Sequence, residues 1–468
     1  MTHADSHEGT GSASPIQSAL AAFITGARFD DLPAVLVERM KWSLLDSLGC
    51  GLHGSDTEWG RIVARVASAQ GSGPARLWGL AGPQRVGTLA AVLANGTMVQ
   101  SFELDDVHYP SRSHPGSVTV PIALALIDHG VPVSGRELVA AMAVGYEVLA
   151  RVGSCQGVSS FDRGWHPTGT AGAFAGAATA SRLLGLSPEQ TVHALGIAGT
   201  MPAGLMAAQF GAMVKRLYSG HAAWAGLSAA LLAREGFTGI PDIFDAGFGG
   251  YVKAVSDGVN LSALTDELGT RFDAAAIGYK LYSCVGTNHT MLAALEDIVR
   301  AQSFEWRDVE EIRISTSAYQ VLHSGWTYAP STVMAAQMNM QYCAAVLLIQ
   351  GAVFVEQFEE RLLADPEILA LARRVKTLTN TAQDDKDRTA VVEVVLRDGR
   401  NFRVERGAAR GHPANPPDDA DIRNKFLRLA NRIIPAAQSS RIVEIVSSLE
   451  QSTDLAQLSS LLIPPISP

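Results

Sequence analysis

Apolar residues recur at every third or fourth position through 14–268, and this spacing predicts a succession of packed helices. Ser134 precedes one of these runs as a candidate N-cap, while Ser187 and Gln190 form a capping-box pattern before another. The segment 164–186 is rich in glycine and alanine, which allows neighbouring helices to approach each other closely. The pattern therefore predicts a large all-helical domain in the first half of the chain.

The pattern changes near residue 270, where β-branched residues begin to alternate with polar ones. Two such runs are joined through Asp398 and Gly399, a dipeptide that favours a tight hairpin. The runs that predict strands are 280–284, 310–317, 391–397 and 400–405. The runs that predict helices between them are 287–302, 334–350 and 354–372. Together they indicate an α+β domain over 269–410.

Helical periodicity returns after this region and continues to the end of the chain. Segment 411–468 is therefore expected to pack back on 14–268, so that the α+β domain is an insertion within one helical domain. A polar tail, 1–13, is expected to be disordered. The predicted fold class is mainly α with an α+β second domain, and 468 residues are enough for two domains of this kind.

Composition narrows the possible partners and the compartment. The net charge is −9 at pH 7 and no long run of lysine or arginine is present, so nucleic-acid binding is not expected. The N-terminal residues contain no apolar leader and no strongly apolar run is long enough to span a membrane, which favours a cytoplasmic protein without membrane contact. The four cysteines form no CxxC pair, which is typical of reduced, buried thiols.

One stretch of the helical region, 101–119, concentrates titratable side chains in a chain that is only 18% charged. Its sequence is SFELDDVHYPSRSHPGSVT, and small, apolar segments flank it on both sides. The candidates within it are Glu103, Asp105, Asp106, His108, Tyr109, Arg112 and His114. Acids, bases and a cation packed this closely would titrate in one another's fields, so the stretch is predicted to form half of an active site.

A metal site in the same stretch is the main alternative interpretation. His108 and His114 are six positions apart, which is not the spacing of a local zinc-binding pair, and hard cations require dedicated carboxylate cages. No metal is therefore expected. The chain also contains no GxGxxG after a strand, no P-loop and no GxSxG, so dinucleotide, nucleoside triphosphate and esterase sites are not predicted.

Three further polar segments stand out against the apolar background. His166 precedes Pro167 at the start of a glycine-rich helix, where the helix dipole favours a neutral imidazole able to act as a base, although the position also suits a histidine that only caps the helix. Lys215 and Arg216 lie at the start of another helix, where they can bind a carboxylate or remain solvated. Lys280 carries no signal by itself.

These groups share one kind of chemistry. Carboxylates, histidines and lysines suit abstraction of a proton next to a carboxylate, and a lysine or arginine would stabilise the negative charge that develops. Dehydration, decarboxylation and epimerisation all pass through similar carbanionic species. Composition and spacing leave the three reactions open.

Four segments resemble motifs of the MmgE/PrpD family: ELDDVHYPSRSHPGSVTVP, GWHPTGTAGAFAGAATASRLLGL, VKRLYSGHAAWAGLSAALLAREGFTG and YKLYSCVGTNH. They occur in the family's order, and the resemblance covers about residues 15–460. The family includes 2-methylcitrate dehydratases, cis-aconitate decarboxylases and iminodisuccinate epimerases. The resemblance implies a helical domain built from both chain ends, an inserted α+β lid domain, a homodimer, and a cleft site that needs no metal or organic cofactor.

Taken with the resemblance, the residues predict a lyase that acts on a small di- or tricarboxylic acid without a cofactor. The catalytic residues expected are His114, His166, Lys215 and Glu103. The substrate-binding residues expected are Lys280, Tyr328, Arg112, Asp105 and Asp106. An epimerase or isomerase of a small dicarboxylate, and a member that only binds an anion, are the alternatives.

The titratable stretch 101–119 also departs from the family at particular positions. Glu103 stands where family members carry an aspartate, and Val107 stands where the decarboxylase branch carries a threonine. The loop from Asp106 to His114 is slightly longer than in that branch. These differences weigh against decarboxylation in particular and leave the family resemblance intact. Substrate choice is expected to be decided in this stretch.

Overall fold

The structure is a computed structural model that describes residues 13–82, 85–258, 260–384 and 387–465. Helices dominate it, and a smaller mixed region lies in the second half of the chain, so the predicted fold class is confirmed. The tail expected to be disordered lies outside the described residues, apart from Ala13.

The helical part contains most of the elements predicted from the apolar spacing. Its helices are α1 Pro15–Gly26, α2 Ala34–Ser55, α3 Glu58–Ala69, α4 Thr88–Val99, α5 Gly116–Asp128, α6 Gly135–Asp162, α7 Pro167–Leu184, α8 Pro188–Ala198, α9 Val214–Arg234 and α10 Tyr251–Val255. The side chain of Ser134 caps α6, and Ser187 and Gln190 form the predicted capping box of α8. Local capping chemistry therefore sets where these helices begin.

Two short antiparallel pairs accompany these helices. Strands β1 Ser72–Arg76 and β2 Arg85–Val86 form one pair, and β3 Val107–His108 and β4 Ile277–Gly278 form the other. The second pair joins the titratable stretch to the beginning of the mixed region. It brings Val107 opposite Gly278, two residues before Lys280.

The mixed region packs helices against one four-stranded sheet. Its helices are α11 His289–Ala301, α12 Ala318–Ser324, α13 Val333–Gln337, α14 Met340–Gln350, α15 Glu360–Leu363 and α16 Pro366–Ala372. Its strands are β5 Val309–Thr316, β6 Val375–Thr379, β7 Ala390–Leu396 and β8 Asn401–Arg406, in the order β6-β5-β7-β8. Strand β6 is parallel to β5, whereas the predicted β7–β8 hairpin is antiparallel and turns through Asp398 and Gly399.

The last helices return to the helical part. They are α17 Asp419–Ala430, α18 Ala436–Ser447 and α19 Ala456–Ser460. Helix α17 packs against α2, and Phe426 and Leu429 are buried in the same apolar core as Leu44 and Leu48. The two ends of the chain therefore share one core, while the mixed region has a core of its own.

Several predicted elements differ in the structure. Segment 280–284 forms no strand, because its backbone bonds elsewhere: the N–H of Ser283 donates to the carbonyl oxygen of Val353. The predicted helix 354–372 is interrupted before Pro366, where Asp365 caps α16, and the predicted helix 334–350 is interrupted at Asn339, which caps α14. Strands β1, β2 and β6 were not predicted.

Helices α7 and α9 approach each other through glycine. A Cβ atom built on Gly226 would lie 2.5 Å from the Cα atom of Gly176 and 2.6 Å from the carbonyl oxygen of Ala173. Any larger residue at this crossing would force the two helices apart. The small-residue pattern of 164–186 therefore fixes the relative position of the two helices that carry His166 and Lys215.

Helix α6 is the one described helix that is long and apolar enough to cross a membrane by length and composition. The sequence had predicted no such run. Within the folded protein, 94% of its most apolar window is buried, as expected of a helix at the centre of a core. Its apolar character is therefore explained by packing.

Candidate active site

The loop between α4 and α5 has an unusual backbone. Glu103 and Arg112 adopt φ values of 54° and 55°, a left-handed conformation that non-glycine residues seldom occupy. Asp105 and Asp106 are fully buried between them. Strained backbone and buried carboxylates persist only where the surrounding structure holds them, and such features cluster at functional sites.

The carboxylate of Glu103 is the centre of a buried ion-pair network. Its Oε1 atom accepts hydrogen bonds from Lys215 and from Nη1 of Arg216 at 2.6 Å, and its Oε2 atom accepts from Nζ of Lys280 at 3.1 Å. Burial by itself raises the pKa of Glu103, but these cations hold it well below its usual range. Glu103 is therefore ionised and joins three cations from two parts of the chain.

The two lysines respond differently to this shared partner. Burial lowers the pKa of Lys215, and the adjacent Arg216 adds to this effect against the attraction of Glu103. Burial also acts on Lys280, but Glu103 and Asp105 together raise its pKa above the usual range. Lys280 is therefore a fixed positive charge, whereas Lys215 releases its proton more readily than an ordinary lysine.

His114 is oriented through Nδ1 and through its backbone. Nδ1 lies 2.7 Å from the carbonyl oxygen of Asp106 and 3.2 Å from Oδ2 of Asp105. A carbonyl oxygen can only accept, so Nδ1 carries a proton and Nε2 is the nitrogen available to a ligand. The backbone N–H of His114 donates to Oγ1 of Thr168 at 2.9 Å, which ties the loop to the first turn of α7.

A second layer of carboxylates lies behind His114. Oδ1 of Asp106 accepts from the N–H of Gly116 at 3.0 Å, and Oδ2 accepts from the hydroxyl of Tyr146 at 2.6 Å. Burial and the nearby Asp46 raise the pKa of Asp106 to about 8. Asp46 in turn accepts from Nζ of Lys425 at 2.5 Å. This layer therefore fixes the Asp106 carbonyl that orients His114, and it reaches into the C-terminal helix α17.

His166 is the N-cap of α7, as the sequence predicted. Its Nδ1 atom accepts from the N–H of Gly169 at 3.4 Å, so in the neutral ring the proton lies on Nε2. Burial, followed by Lys215 and His114, lowers the pKa of His166 well below its usual range. His166 is therefore a neutral imidazole that presents an N–H group.

These residues line one cavity of about 650 Å³, including its open mouth. Of the predicted site residues, it is lined by Glu103, Arg112, His114, His166, Lys215 and Lys280. Asp105 and Asp106 lie behind this wall, where they support His114. Tyr328 lies elsewhere, partly buried against the core of the mixed region, and its hydroxyl donates to the carbonyl oxygen of Leu363 at 3.0 Å.

Comparison with known proteins identifies the family of this chain. The MmgE/PrpD N-terminal domain matches residues 18–263, and the MmgE/PrpD C-terminal domain matches residues 282–451. The chain belongs to the MmgE/PrpD family. The resemblance inferred from the four motifs is therefore confirmed.

Curated relatives of this family member include decarboxylases. The chain is similar to a cis-aconitate decarboxylase-like protein of Aspergillus oryzae, with 33% identity over 96% of this chain and 97% of the relative. It is 30% identical to the cis-aconitate decarboxylase of Aspergillus terreus, over 97% of both chains. The human cis-aconitate decarboxylase is 26% identical over 97% of this chain and 95% of its own.

The cavity of this MmgE/PrpD protein also contains residues that the sequence did not predict. Arg388 reaches it from the segment before β7, and Tyr319 and His323 reach it from α12. None of the three belongs to a segment that the sequence marked as catalytic. Only the packing of the mixed region over the helical part brings them to the site.

Proposed function

We propose that this protein is a lyase that acts on a small polycarboxylic acid, and the cis-aconitate decarboxylases among its relatives favour decarboxylation as its reaction. The observation that carries the proposal is the charge of the cavity wall. Its described lining contains four cationic side chains, Arg112, Lys215, Lys280 and Arg388, and a single carboxylate, Glu103. A ligand with several carboxylates matches this excess of positive charge.

Decarboxylation requires stabilisation of a carbanion and a proton donor. Breaking the bond to the departing carboxylate releases CO2 and leaves an electron pair on the substrate, conjugated to a carboxylate that remains. Lys280, a fixed positive charge, is suited to bind the carboxylate that remains and to stabilise its developing charge. Lys215 is next to Lys280, because both lysines donate to the carboxylate of Glu103. One proton then adds to carbon to complete the product.

His114 is the proposed proton donor. When Nε2 takes up a proton, the positive ring is stabilised through Nδ1 by the Asp106 carbonyl oxygen and the Asp105 carboxylate. His166 lacks such a partner, since its Nδ1 faces the N–H of Gly169. We therefore assign proton transfer to His114 and orientation of the substrate to His166. These steps use side chains alone, in keeping with the expected independence from cofactors.

Dehydration is the second candidate, and Val107 is the observation that favours it. This residue lines the cavity, and the family resemblance implies a threonine at its position in the decarboxylase branch. Its apolar side chain cannot bond a carboxylate. A substrate such as 2-methylcitrate, which presents an alkyl group, would fit this part of the wall.

One experiment separates the candidate reactions. The purified protein is incubated in D2O with cis-aconitate or with 2-methylcitrate, and products are followed by proton NMR and mass spectrometry. Release of CO2 with formation of itaconate supports the proposal, and loss of water from 2-methylcitrate supports the second candidate. Deuterium uptake without loss of mass would indicate an epimerase. Thermal stabilisation by both compounds without turnover would indicate anion binding alone.

Assembly and location form part of the same proposal. The family resemblance implies a homodimer, and the composition favours a cytoplasmic protein. Size-exclusion chromatography with light scattering tests the first expectation, and fluorescence microscopy of a tagged full-length chain tests the second.

A further inference from the structure

A second cationic group lies in the cavity, apart from the network around Glu103. The Cζ atom of Arg112 lies 4.4 Å from the centre of the Tyr319 ring, and the Cζ atom of Arg388 lies 5.5 Å from the same centre. Arg112 comes from the loop of the helical part, and Arg388 comes from the mixed region. Two guanidinium groups from different parts of the chain therefore meet at one aromatic ring in the cavity wall.

These two arginines lack the carboxylate partner that the lysines have. Within 13–82, 85–258, 260–384 and 387–465, neither guanidinium forms an ion pair, and Nη1 of Arg112 is buried without a hydrogen bond. Burial lowers the pKa of Arg388, and Arg112 adds to this effect. Two neighbouring cations that are partly shielded from solvent repel each other, and an anion between them would relieve the repulsion.

His323 adds a third unsatisfied group to the same wall. Both nitrogens of its ring are buried and make no hydrogen bond with any described residue. Burial, followed by Lys215 and Arg388, lowers the pKa of His323 to about 3, so the ring is neutral and has one N–H to donate. Buried polar atoms without partners are uncommon in folded proteins, and His323 lines the cavity.

We propose that Arg112, Arg388 and His323 bind one carboxylate of the substrate while Lys215 and Lys280 bind another, so that the site selects tricarboxylates over dicarboxylates. The substrate class rests on the proposed function, but the subsite is defined by binding and does not require turnover. Arg112 lies in the loop between α4 and α5, and Arg388 closes the subsite from the mixed region. The subsite is complete only when the helical part and the mixed region are packed together.

The test compares two ligands that differ by one carboxylate. Tricarballylate carries three carboxylates, and methylsuccinate is the same carbon skeleton without one terminal carboxylate. Isothermal titration calorimetry gives both affinities for the wild type and for Arg388→Gln. A charged hydrogen-bond pair contributes about 1.5–3 kcal/mol, so we expect tricarballylate affinity to fall by roughly tenfold to a hundredfold. Methylsuccinate affinity should remain within about twofold.

Matched variants keep the test independent of folding. Arg403→Gln removes an exposed arginine of β8 outside the cavity and should change neither affinity. Arg388→Lys keeps the positive charge but loses the planar guanidinium group that can donate two hydrogen bonds to one carboxylate. It should weaken tricarballylate binding less than Arg388→Gln does. His323→Phe removes both ring nitrogens but keeps an aromatic ring, and it should also weaken tricarballylate binding selectively. Equal losses for the two ligands, or no loss for either, would overturn the subsite.

The outcomes also separate the subsite from the proposed function. If the wild type decarboxylates cis-aconitate and Arg388→Gln weakens both ligands equally, the subsite is wrong and the proposed function stands. If the wild type turns over no polycarboxylate but selects tricarballylate through Arg388, the proposed function is wrong and the subsite stands.

Discussion

The Nζ atom of Lys280 lies 3.1 Å from Oε2 of Glu103, and this contact joins the mixed region to the loop between α4 and α5. The other oxygen of the same carboxylate accepts from Lys215 and Arg216 on α9. One buried side chain therefore holds together three cations that would otherwise repel each other. Stability and ligand binding are coupled at Glu103.

Replacement of Glu103 by glutamine should destabilise the protein. Breaking a buried ion pair from one side leaves uncompensated charge, which costs about 3–5 kcal/mol of unfolding free energy. The folded-state pKa of Glu103 lies below its unfolded value, so the contribution is complete above about pH 4.3 and is lost as pH falls through the folded-state pKa. Urea denaturation at neutral pH measures the loss.

A second carboxylate provides the control for this variant. Glu405→Gln, on the exposed side of β8, should change the unfolding free energy by less than about 0.5 kcal/mol. Citrate should restore part of the stability of Glu103→Gln, because it supplies the missing negative charge. If Glu103→Gln were as stable as the wild type, the ion-pair network would not have the role described.

His166 should have separable effects on stability and on turnover. His166→Ala removes the cap of α7 and should cost about 1 kcal/mol, whereas His166→Asn can accept from the Gly169 N–H and should keep most of that stability. Both variants should lose turnover by about a hundredfold or more, if the Nε2–H group orients the substrate. Melting temperatures check the effect on stability, and initial rates on the same preparation check the effect on turnover. Full activity in His166→Asn would show that His166 only caps helix α7.

Asp106→Asn should change how stability depends on pH. The pKa of Asp106 is about 8 in the folded protein and about 3.9 when unfolded, so between these values the folded state holds a proton that the unfolded state has released. The free energy of unfolding of the wild type should therefore fall by about 1.4 kcal/mol per pH unit from this group. Denaturation at several pH values should show a shallower fall in the variant.

The control for this experiment is an aspartate at the surface. Asp30→Asn removes a carboxylate whose side chain is 78% exposed, and it should keep the wild-type pH dependence. Parallel curves for wild type and Asp106→Asn would show that Asp106 is ionised in the folded protein. The burial of Asp46 and Asp106 beside each other could then not be attributed to an uncharged, protonated Asp106.

Lys425 should stabilise the packing of helix α17 against the rest of the helical part. Its Nζ atom donates to Asp46 on α2 and to the carbonyl oxygen of Leu104, so Lys425→Met leaves buried charge unpaired. We expect a loss of about 3–5 kcal/mol, and the double variant with Asp46→Asn should recover part of it. Lys253→Met, at an exposed lysine, is the control. Additive losses in the double variant would contradict direct coupling.

The candidate site was partly predictable because its residues cluster in sequence. Glu103, Arg112 and His114 fall within one titratable stretch, and His166 and Lys215 each begin a small-residue helix, so local pattern was sufficient. Arg388 and His323 have no such context. They become part of the site through the packing of the mixed region, which depends on contacts distant in sequence.

The fold shows the same division between local and distant causes. Helices α6, α7 and α8 begin where their caps predicted, since a cap acts within a few residues. Strand β6 was missed because its pairing with β5 is parallel and is made after a long connection. Tyr328 remains a predicted substrate contact, although the structure places it against the core of the mixed region and outside the lining of the cavity.

The close crossing of α7 and α9 limits how this site can change. Gly176 and Gly226 leave no room between the helices, so His166 and Lys215 stand on one rigid frame. A new substrate cannot be accommodated by moving these two groups apart, because a larger residue at the crossing would break the frame. Diversification of substrates must therefore proceed through the α4–α5 loop and the segment before β7, where side chains can be exchanged while the frame stays fixed.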